Sequence, residues 1–291
     1  MQFMINVMVK VCREVRCKVA QKKGMVINMK LCSIASGSSG NCIYVGSNQT
    51  NLLVDVGVSA KRIENGLKEI EVTPDTIQGI LITHEHSDHI SGLGVMARRY
   101  HIPIYATYET VKAIQKIKSV GEIPEELFHF VKPDETFTIN DITVDPFATS
   151  HDASNPVCYT MQAEGHKVGI ATDLGKYDDY IISKLENSDL LLLEANHDIN
   201  MLMVGKYPYY LKQRILGDRG HLSNDTCADL ISKLFTRKIK HIFLAHLSKE
   251  NNYEELAYET VSYELANRGF DFQESKLSVA HRDRISELVM I

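Results

Sequence analysis

A cluster of three histidines and one aspartate constrains this chain more than any other feature of its 291 residues. The segment THEHSDH at residues 83–89 directly follows a strand-like run, Gly79 to Thr83, and precedes a helix-like segment. His84 and His86 are two residues apart, so at the end of a strand their side chains point the same way. Asp88 and His89 turn into the next element. The four side chains can therefore bind two neighbouring metal ions.

Three further candidate ligands each stand at the end of a strand-like run: His151, Asp173 and His246. Loops at strand ends are where active sites are assembled. Imidazole and carboxylate groups suit zinc, manganese or iron, so the residue types restrict the chemistry without choosing the ion. The remaining isolated histidines are predicted to be hydrogen-bonded or solvent-facing, without a metal role: His101, His129, His166, His241 and His281.

The rest of the sequence predicts one α/β domain. A chain of 291 residues that is 44% hydrophobic can bury one large core without disulfides. From Met29 onward, strand-like runs alternate with amphipathic helical runs, and no low-complexity linker divides them. Hairpin-like pairs at 136–147 and 157–172 mix antiparallel strands with crossover units. We therefore expect mixed sheets covered by helices.

The composition also predicts a cytoplasmic protein. The six cysteines match neither a zinc ribbon nor a secreted disulfide framework, so they are predicted to be reduced core residues. No segment approaches the roughly 20 apolar residues that a membrane helix needs, and charged residues interrupt the N-terminus where a signal peptide would lie. The net charge of -5 argues against a general polyanion-binding surface, but bound cations would supply local positive charge.

The predicted ligands resemble those of the metallo-β-lactamase superfamily. The HxHxDH motif of that superfamily is matched by His84, His86, Asp88 and His89, and its later single ligands by His151, Asp173 and His246. The resemblance implies an αββα sandwich of two mixed sheets flanked by helices. It also implies two divalent metal ions, Zn²⁺ or Mn²⁺, that share Asp173. It assigns His84, His86 and His151 to one ion, and Asp88, His89 and His246 to the other.

Further motifs are similar to the bacterial YycJ/WalJ family. They are the opening KLCSIASGSSGN at 30–41, ATDLG at 171–175, LEANHD at 193–198, GHLSN at 220–224 and LAHLS at 244–248. This resemblance implies a two-metal phosphodiesterase, a 5′-to-3′ DNA exonuclease in DNA processing or repair. That family begins near Met29. Residues 1–28 are therefore predicted to be a poorly ordered, dispensable extension, and residues 29–291 the catalytic domain.

A phosphodiester substrate calls for a general acid. The leaving alkoxide is a strong base, so an acid beside it is worth about 100- to 10,000-fold in rate. In the related tRNase Z enzymes a glutamate pairs with the histidine of a Gly-His motif, and Glu194 and His221 occupy similar places. We predict that Glu194 orients and charges His221, and that Asp88 and Asp173 complete the catalytic set. The alternative is a solvent-facing acid and an ordinary loop histidine before a helix cap.

Two segments are candidates for binding the substrate. Lys206, Tyr209, Lys212 and Arg214 lie in a run that combines positive charge with aromatic rings, which suits phosphates and exposed bases. The alternative for this run is a packed surface helix. In the glycine-rich loop 36–41, Ser38 and Asn41 are predicted to bring donors close to a phosphate. The alternative there is a plain turn between strands.

Three other functions are compatible with the same ligands. One is a ribonuclease of the tRNase Z or RNase J type, although the chain lacks room for the β-CASP domain of RNase J. A second is hydrolysis of a small ester, lactam or thioester. A third is a regulatory module that binds metal without turnover. No obligate protein partner is evident from the sequence, and a comparison of DNA with RNA turnover separates the two nucleases.

Overall fold

The computed structural model describes residues 29–270 and 276–291. The predicted extension at residues 1–28 lies outside the described residues. The strands are β1 (Lys30–Ala35), β2 (Cys42–Gly46), β3 (Asn51–Val54), β4 (Ile77–Leu81), β5 (Ile104–Thr107), β6 (Phe128–Val131), β7 (Phe137–Ile139), β8 (Ile142–Ala148), β9 (Val157–Ala163), β10 (His166–Ala171), β11 (Leu190–Glu194), β12 (His241–Ala245), β13 (Leu277–Val279) and β14 (Val289–Met290).

Helices separate many of these strands. They are α1 (Ala60–Glu69), α2 (Ser87–Ile90), α3 (Leu93–Tyr100), α4 (Tyr108–Ile114), α5 (Asp179–Leu185), α6 (Ile199–Val204), α7 (Tyr209–Leu216), α8 (Asn224–Leu234) and α9 (Glu254–Asn267), with short 3₁₀ turns at Pro74–Thr76 and Glu125–Leu127. None of the helices described is both long enough and apolar enough to span a membrane.

The strands form two mixed sheets of seven strands each within the described residues. The first has the order β14-β1-β2-β3-β4-β5-β6, and the second has the order β13-β12-β11-β10-β9-β8-β7. In the first sheet the pairs from β3 to β6 are parallel, and the others are antiparallel. In the second sheet the pairs from β10 to β13 are parallel, and those from β7 to β10 are antiparallel. The predicted mixture of hairpins and crossovers is confirmed.

Three apolar layers hold the sheets and helices together. Leu52 of the first sheet and Leu192 of the second belong to the layer between the two sheets. Ile63 of α1 packs on the outer face of the first sheet, and Leu230 of α8 packs on the outer face of the second. Because both faces of the central strands are buried, their sequences read as continuous apolar runs. The result is the predicted αββα sandwich.

One predicted helix is divided in two. The sequence predicts one helix over Ile90–Tyr100, after the histidine-rich segment, but the structure interrupts it at Gly92, where α2 has ended and α3 has not begun. The Gly92 N–H donates to the carbonyl of Val56, and a Cβ at this position would lie 2.3 Å from the carbonyl oxygen of Val58. The helix is interrupted here because the backbone of Gly92 packs directly against the backbone of residues 56–58, which follow β3. Only glycine permits this close approach.

The cysteine prediction is confirmed for the residues that can be compared. Cys32, Cys42, Cys158 and Cys227 are free and buried. Burial raises the pKa of the Cys32 thiol to about 11. These thiols are therefore packing groups with little thiolate character at neutral pH. Cys12 and Cys17 lie outside the described residues.

The carboxyl ends of β3, β4, β10, β11 and β12 meet along one edge of the sandwich. Asp55 follows β3, Asp173 lies two residues after β10, and His246 follows β12. All three residues adopt left-handed backbone conformations, with φ values of 57°, 59° and 58°. Such conformations are uncommon for residues other than glycine and cluster at functional sites. They turn the chain sharply and aim these side chains at the shared edge.

Candidate active site

The predicted metal ligands lie together at this edge. Ligand atoms of His84, His86 and His151 lie within 4.8 Å of one another, and so do those of Asp88, His89 and His246. Asp173 stands between the two groups. Its Oδ1 is 3.5 Å from His151 Nε2, and its Oδ2 is 3.3 Å from His89 Nε2. One carboxylate oxygen thus faces each group, which is the arrangement expected of a ligand shared by two ions.

Three of the imidazoles are held in orientation through Nδ1. His89 Nδ1 lies 2.7 Å from Asp55 Oδ2, and His246 Nδ1 lies 2.8 Å from Glu194 Oε1. His151 Nδ1 lies 3.1 Å from the carbonyl oxygen of Gly220. These oxygens accept a hydrogen bond, so each Nδ1 carries a proton and each Nε2 is turned towards the cluster. Metal-binding histidines are oriented in this way by carboxylates and carbonyls.

The buried polar atoms of the cluster fit divalent cations. His84 Nε2 and Asp173 Oδ2 are buried and have no hydrogen-bond partner among the described residues. Buried polar atoms are normally satisfied, and leaving one unpaired costs about 1–3 kcal/mol. Burial disfavours a charged His246, yet the carboxylates of Asp173, Asp88 and Glu194 raise its pKa to about 10. Unpaired ligand atoms and concentrated negative charge together are consistent with a binuclear metal site.

Asp55 is a residue of the site that the sequence analysis missed. Its side chain is fully buried, and its carboxylate accepts hydrogen bonds from Thr83 N and Thr83 Oγ1, both at 2.9 Å, besides its contact with His89. The sequence carries only a weak signal for it, since Asp55 directly follows a buried strand, as many aspartates do. Its hydrogen bonds from Thr83 join the ends of the neighbouring parallel strands β3 and β4, and its contact with His89 orients that ring, so one carboxylate fixes both.

Replacing Asp55 with asparagine is expected to weaken metal binding about 10- to 100-fold, the usual effect of losing a carboxylate behind a metal-binding histidine. Asparagine tolerates the left-handed backbone, so the fold should persist. Competition with a chromophoric chelator measures the affinity. Asp141→Asn is the matched control, because within the described part of the chain Asp141 bonds Ser47 and Thr50, on a turn away from the ligand cluster. Equal affinity in the two variants would remove Asp55 from the metal centre.

Glu194 links a candidate ligand to the candidate general acid. It is fully buried, and its Oε1 lies 2.8 Å from both His221 Nδ1 and His246 Nδ1. Its Oε2 accepts hydrogen bonds from the backbone N–H groups of Leu174 and Leu222, at 2.9 Å and 3.1 Å. Although burial opposes ionisation, these two histidines hold the pKa of Glu194 well below its usual range. The alternative of a solvent-facing acid does not fit this position.

His221 stands at the rim of the cluster. Its Nδ1 is 3.6 Å from Asp173 Oδ1, and 20% of its side chain is exposed. Burial opposes protonation, but the charge and hydrogen bond of Glu194 raise the pKa of His221 above its ordinary value, with help from Asp173. Nearby His197 differs, because burial lowers its pKa to about 4. Of these two histidines, His221 is the one equipped to donate a proton.

Comparison with known proteins shows the family to which this chain belongs. The model of the beta-lactamase superfamily domain matches residues 50–246. A Bacillus anthracis protein named exodeoxyribonuclease YycJ is 41% identical over 242 residues, covering 83% of this chain and 91% of the relative. The chain belongs to the metallo-β-lactamase superfamily. A Streptococcus pneumoniae protein named exodeoxyribonuclease WalJ is 42% identical over 251 residues, covering 85% of this chain and 93% of the relative.

Solved structures agree with the metallo-β-lactamase fold. The metallo-β-lactamase fold protein YhfI from Bacillus subtilis aligns with a TM-score of 0.65 at 18% identity, over 89% of this chain and 99% of its own. Zn²⁺-bound PqqB from Methylobacterium extorquens gives the same TM-score and coverage at 16% identity. At these identities the likeness shows the fold alone. Together with the sequence relatives and the buried ligand cluster, the superfamily membership makes the chain a metal-dependent hydrolase.

The segment that the sequence predicts to bind nucleic acid forms α7 and the turn before it. No residue of this fully described helix is buried, and Tyr209 and Tyr210 are 73% and 74% exposed. Lys206 is exposed, whereas Lys212 Nζ donates to the carbonyl of Met203 at 2.6 Å. The helix therefore presents rings and charge to solvent, unlike the packed helix of the alternative interpretation.

A salt bridge fixes α7 beside the cluster. Arg214 Nε donates to Asp152 Oδ2 at 2.5 Å, and Asp152 Oδ1 lies 3.4 Å from His151 Nε2. The charge of Arg214 is thus partly compensated by its own neighbour. The helix lies on the His151 side of the metallo-β-lactamase centre.

The glycine-rich loop 36–41 borders the opposite group of ligands. Asn41 is buried, its Oδ1 accepts from Gly37 N at 2.9 Å, and its Nδ2 lies 3.2 Å from His89 Nε2. Ser38 is exposed at the tip of the loop. Asn41 therefore braces the loop against the centre, while Ser38 remains open to a ligand.

Proposed function

We propose that this chain is a two-metal phosphodiesterase that removes nucleotides from the 5′ ends of DNA. The observation that carries the proposal is the position of His221, whose ring is held by buried Glu194 at the rim of the ligand cluster. An acid at this place serves a poor leaving group such as a sugar alkoxide. The relatives named exodeoxyribonuclease support DNA as the substrate. The 5′ direction and a role in DNA processing or repair are the parts of the proposal that rest on the resemblance to the YycJ/WalJ family alone.

The side chains divide the work of the reaction. One ion would be held by His84, His86 and His151, and the other ion by Asp88, His89 and His246. Asp173 would bind both ions. When bound, two divalent ions lower the pKa of water and neutralise charge on the scissile phosphate. His221 keeps one ring proton on Nδ1 for Glu194 and delivers the other from Nε2 to the departing oxygen. Glu194 stabilises the charged imidazole before the transfer and holds the ring in place after it.

The strand is proposed to approach along α7. Exposed Lys206 attracts the phosphates, and the rings of Tyr209 and Tyr210 offer faces on which bases can stack. Base stacking tolerates any sequence because every base has such a face. This arrangement suits an enzyme that degrades DNA without sequence preference. We place the enzyme in the cytoplasm and assign it no obligate protein partner.

The proposal is tested with end-labelled single-stranded and double-stranded DNA and with matched RNA. The protein is first stripped of metal, and Zn²⁺ or Mn²⁺ is then restored. We expect mononucleotides to appear from the 5′ label of DNA with at least one of these ions. Preferential cleavage of RNA would favour a ribonuclease of the tRNase Z type, and turnover of small esters alone would favour a small-molecule hydrolase. Metal binding without turnover would leave a regulatory role.

A further inference from the structure

Arg282 carries a half-buried positive charge that no ion pair neutralises within residues 29–270 and 276–291. Its Nη1 donates to Ser39 Oγ at 3.0 Å, and its Nη2 donates to the carbonyl of Leu247 at 2.9 Å. Among the described residues, no carboxylate forms an ion pair with it, whereas Arg284 lies 3.6 Å from Glu254 Oε2. A guanidinium offers five N–H donors in a fixed plane, and two bonds leave donors free. Two neutral acceptors therefore fix its position without cancelling its charge.

The guanidinium is seated beside the ligand cluster. Leu247, which accepts its hydrogen bond, directly follows His246, and the backbone N–H of His246 donates to Ser36 Oγ at 2.8 Å. Gly37, with φ of 126°, leaves room for the Arg282 guanidinium at this position. A Cβ on Gly37 would lie 3.0 Å from the Leu247 oxygen and 3.2 Å from Arg282 Nη1. Loop 36–41 thus joins Arg282 to the His246 side of the centre, while α7 lies on the His151 side.

An open cleft adjoins Arg282. It has a volume of about 330 Å³, and its lining includes Ser36, Lys249 and Tyr253. Lys249 is exposed and, like Arg282, has no ion pair among the described residues. The carboxylates of the cleft are Glu254, Glu255 and Asp283. Glu254 is engaged by His281 Nδ1 at 2.7 Å.

The Arg282 guanidinium is suited to bind an external anion because, among the described residues, no neighbouring carboxylate pairs with it directly. Burial lowers the pKa of its guanidinium, and Asp283, Glu254 and Glu250 act in the opposite direction without making contact. A partly desolvated guanidinium that is already positioned loses little freedom on binding an anion. Arginine recognises phosphate through charge-assisted, often bidentate, hydrogen bonds. A phosphate at this place would supply the missing counter-charge.

We propose that Arg282, assisted by Lys249, binds a backbone phosphate of the DNA strand next to the scissile one. The inference rests on the proposed nuclease function and adds a binding site to it. The strand would run from α7, across the ligand cluster, into the cleft beside loop 36–41. Arg282 would set the position of the strand, and the ligand cluster and His221 would act on the neighbouring linkage.

Arg282→Gln in the metal-loaded full chain tests the site, with Arg284→Gln as the matched control. We expect Arg282→Gln to raise KM for DNA about tenfold, as for loss of one charged hydrogen bond, with kcat nearly unchanged. The slope of log kcat/KM against log salt should shrink by about one. Arg282→Lys should keep the salt slope of the wild type but not its KM. Arg284→Gln should match the wild type in both quantities.

The substrate supplies a second test. One phosphate next to the first cleaved bond is made to lose one negative charge, and the two placements are a methylphosphonate in the following linkage and a methyl ester on the 5′-terminal phosphate. One of the two placements should cost the wild type about tenfold in KM, as the Arg282→Gln substitution does. The same placement should not raise KM any further in the Arg282→Gln variant. The proposal is overturned if the substrate change and the Arg282→Gln substitution raise KM independently, so that their effects multiply at both placements.

Failure of this inference can be told apart from failure of the nuclease proposal. If the wild type degrades DNA and Arg282→Gln behaves like Arg284→Gln, only the role of Arg282 is wrong. If the wild type degrades no DNA with either ion, both proposals fall. Thermal unfolding and metal content establish that Arg282→Gln is folded and loaded. If it does not fold, Lys249→Gln replaces it, and an unchanged salt slope then overturns the site.

Discussion

Alanine in place of Asp173 is expected to remove both metal ions and to lower DNA hydrolysis by more than about 1,000-fold. Its two carboxylate oxygens lie 3.5 Å and 3.3 Å from Nε2 atoms of the two ligand groups. No other carboxylate is placed to serve both groups among the described residues. Loss of a residue that merely supports a ligand costs about 10- to 100-fold, so loss of a shared ligand should cost more. Metal content by mass spectrometry and release of labelled nucleotides measure the two effects.

Asp189→Ala is the matched control for Asp173→Ala. Asp189 is also a buried aspartate in the second sheet, but it accepts from Lys167 N at 2.9 Å and pairs with Lys238 at 3.1 Å. It precedes β11, at the opposite end of the strand from Glu194. Asp189→Ala should lower thermal stability while the protein keeps both ions. Full metal content in Asp173→Ala would contradict the assignment of Asp173 as the shared ligand.

Alanine in place of His221 is expected to leave the metals bound and to lower kcat on DNA about 100- to 10,000-fold, the range for loss of a general acid. The loss should depend on the leaving group. Nitrophenolate departs without a proton, so kcat of His221→Ala on a p-nitrophenyl ester of thymidine 5′-phosphate should fall by less than about tenfold. Parallel assays on DNA and on this ester separate proton donation from other effects.

His197→Ala is the control for the His221 experiment. His197 is buried, its pKa lies near 4, and its ring nitrogens have no hydrogen-bond partner among the described residues. It therefore has no proton to give at neutral pH, and any loss on its removal should be equal for DNA and for the ester. If His221→Ala also lost equal activity on both substrates, His221 would be structural and not an acid.

The sequence was informative where a functional residue directly follows a strand. The segment 83–89 and the single residues His151, Asp173 and His246 were recognisable from their own surroundings, and the structure brings them to one edge. Parallel strands align their carboxyl ends, so a local pattern repeated on several strands predicts convergence. The αββα architecture came from the resemblance to a family, because alternating strands and helices alone permit several arrangements.

Other features depend on contacts between distant parts of the chain. Asp55 meets His89 only because the fold packs the end of β3 against α2, and many aspartates follow strands without such a partner. Arg282 meets Ser39 across 243 residues of sequence. The inward turn of Asn41 follows from its backbone hydrogen bonds with Gly57, which comes after β3, and with Asp88 of α2. No local pattern of residue types encodes these contacts, since each depends on which elements the fold brings together.

The most direct test of the account is titration of Zn²⁺ or Mn²⁺ into metal-stripped protein while nucleotides released from the 5′ ends of DNA are counted. We expect hydrolysis to rise until two ions are bound per chain and then to level off. The Asp173→Ala variant should show no rise. Full DNA hydrolysis with one bound ion, or with none, would contradict a two-metal nuclease.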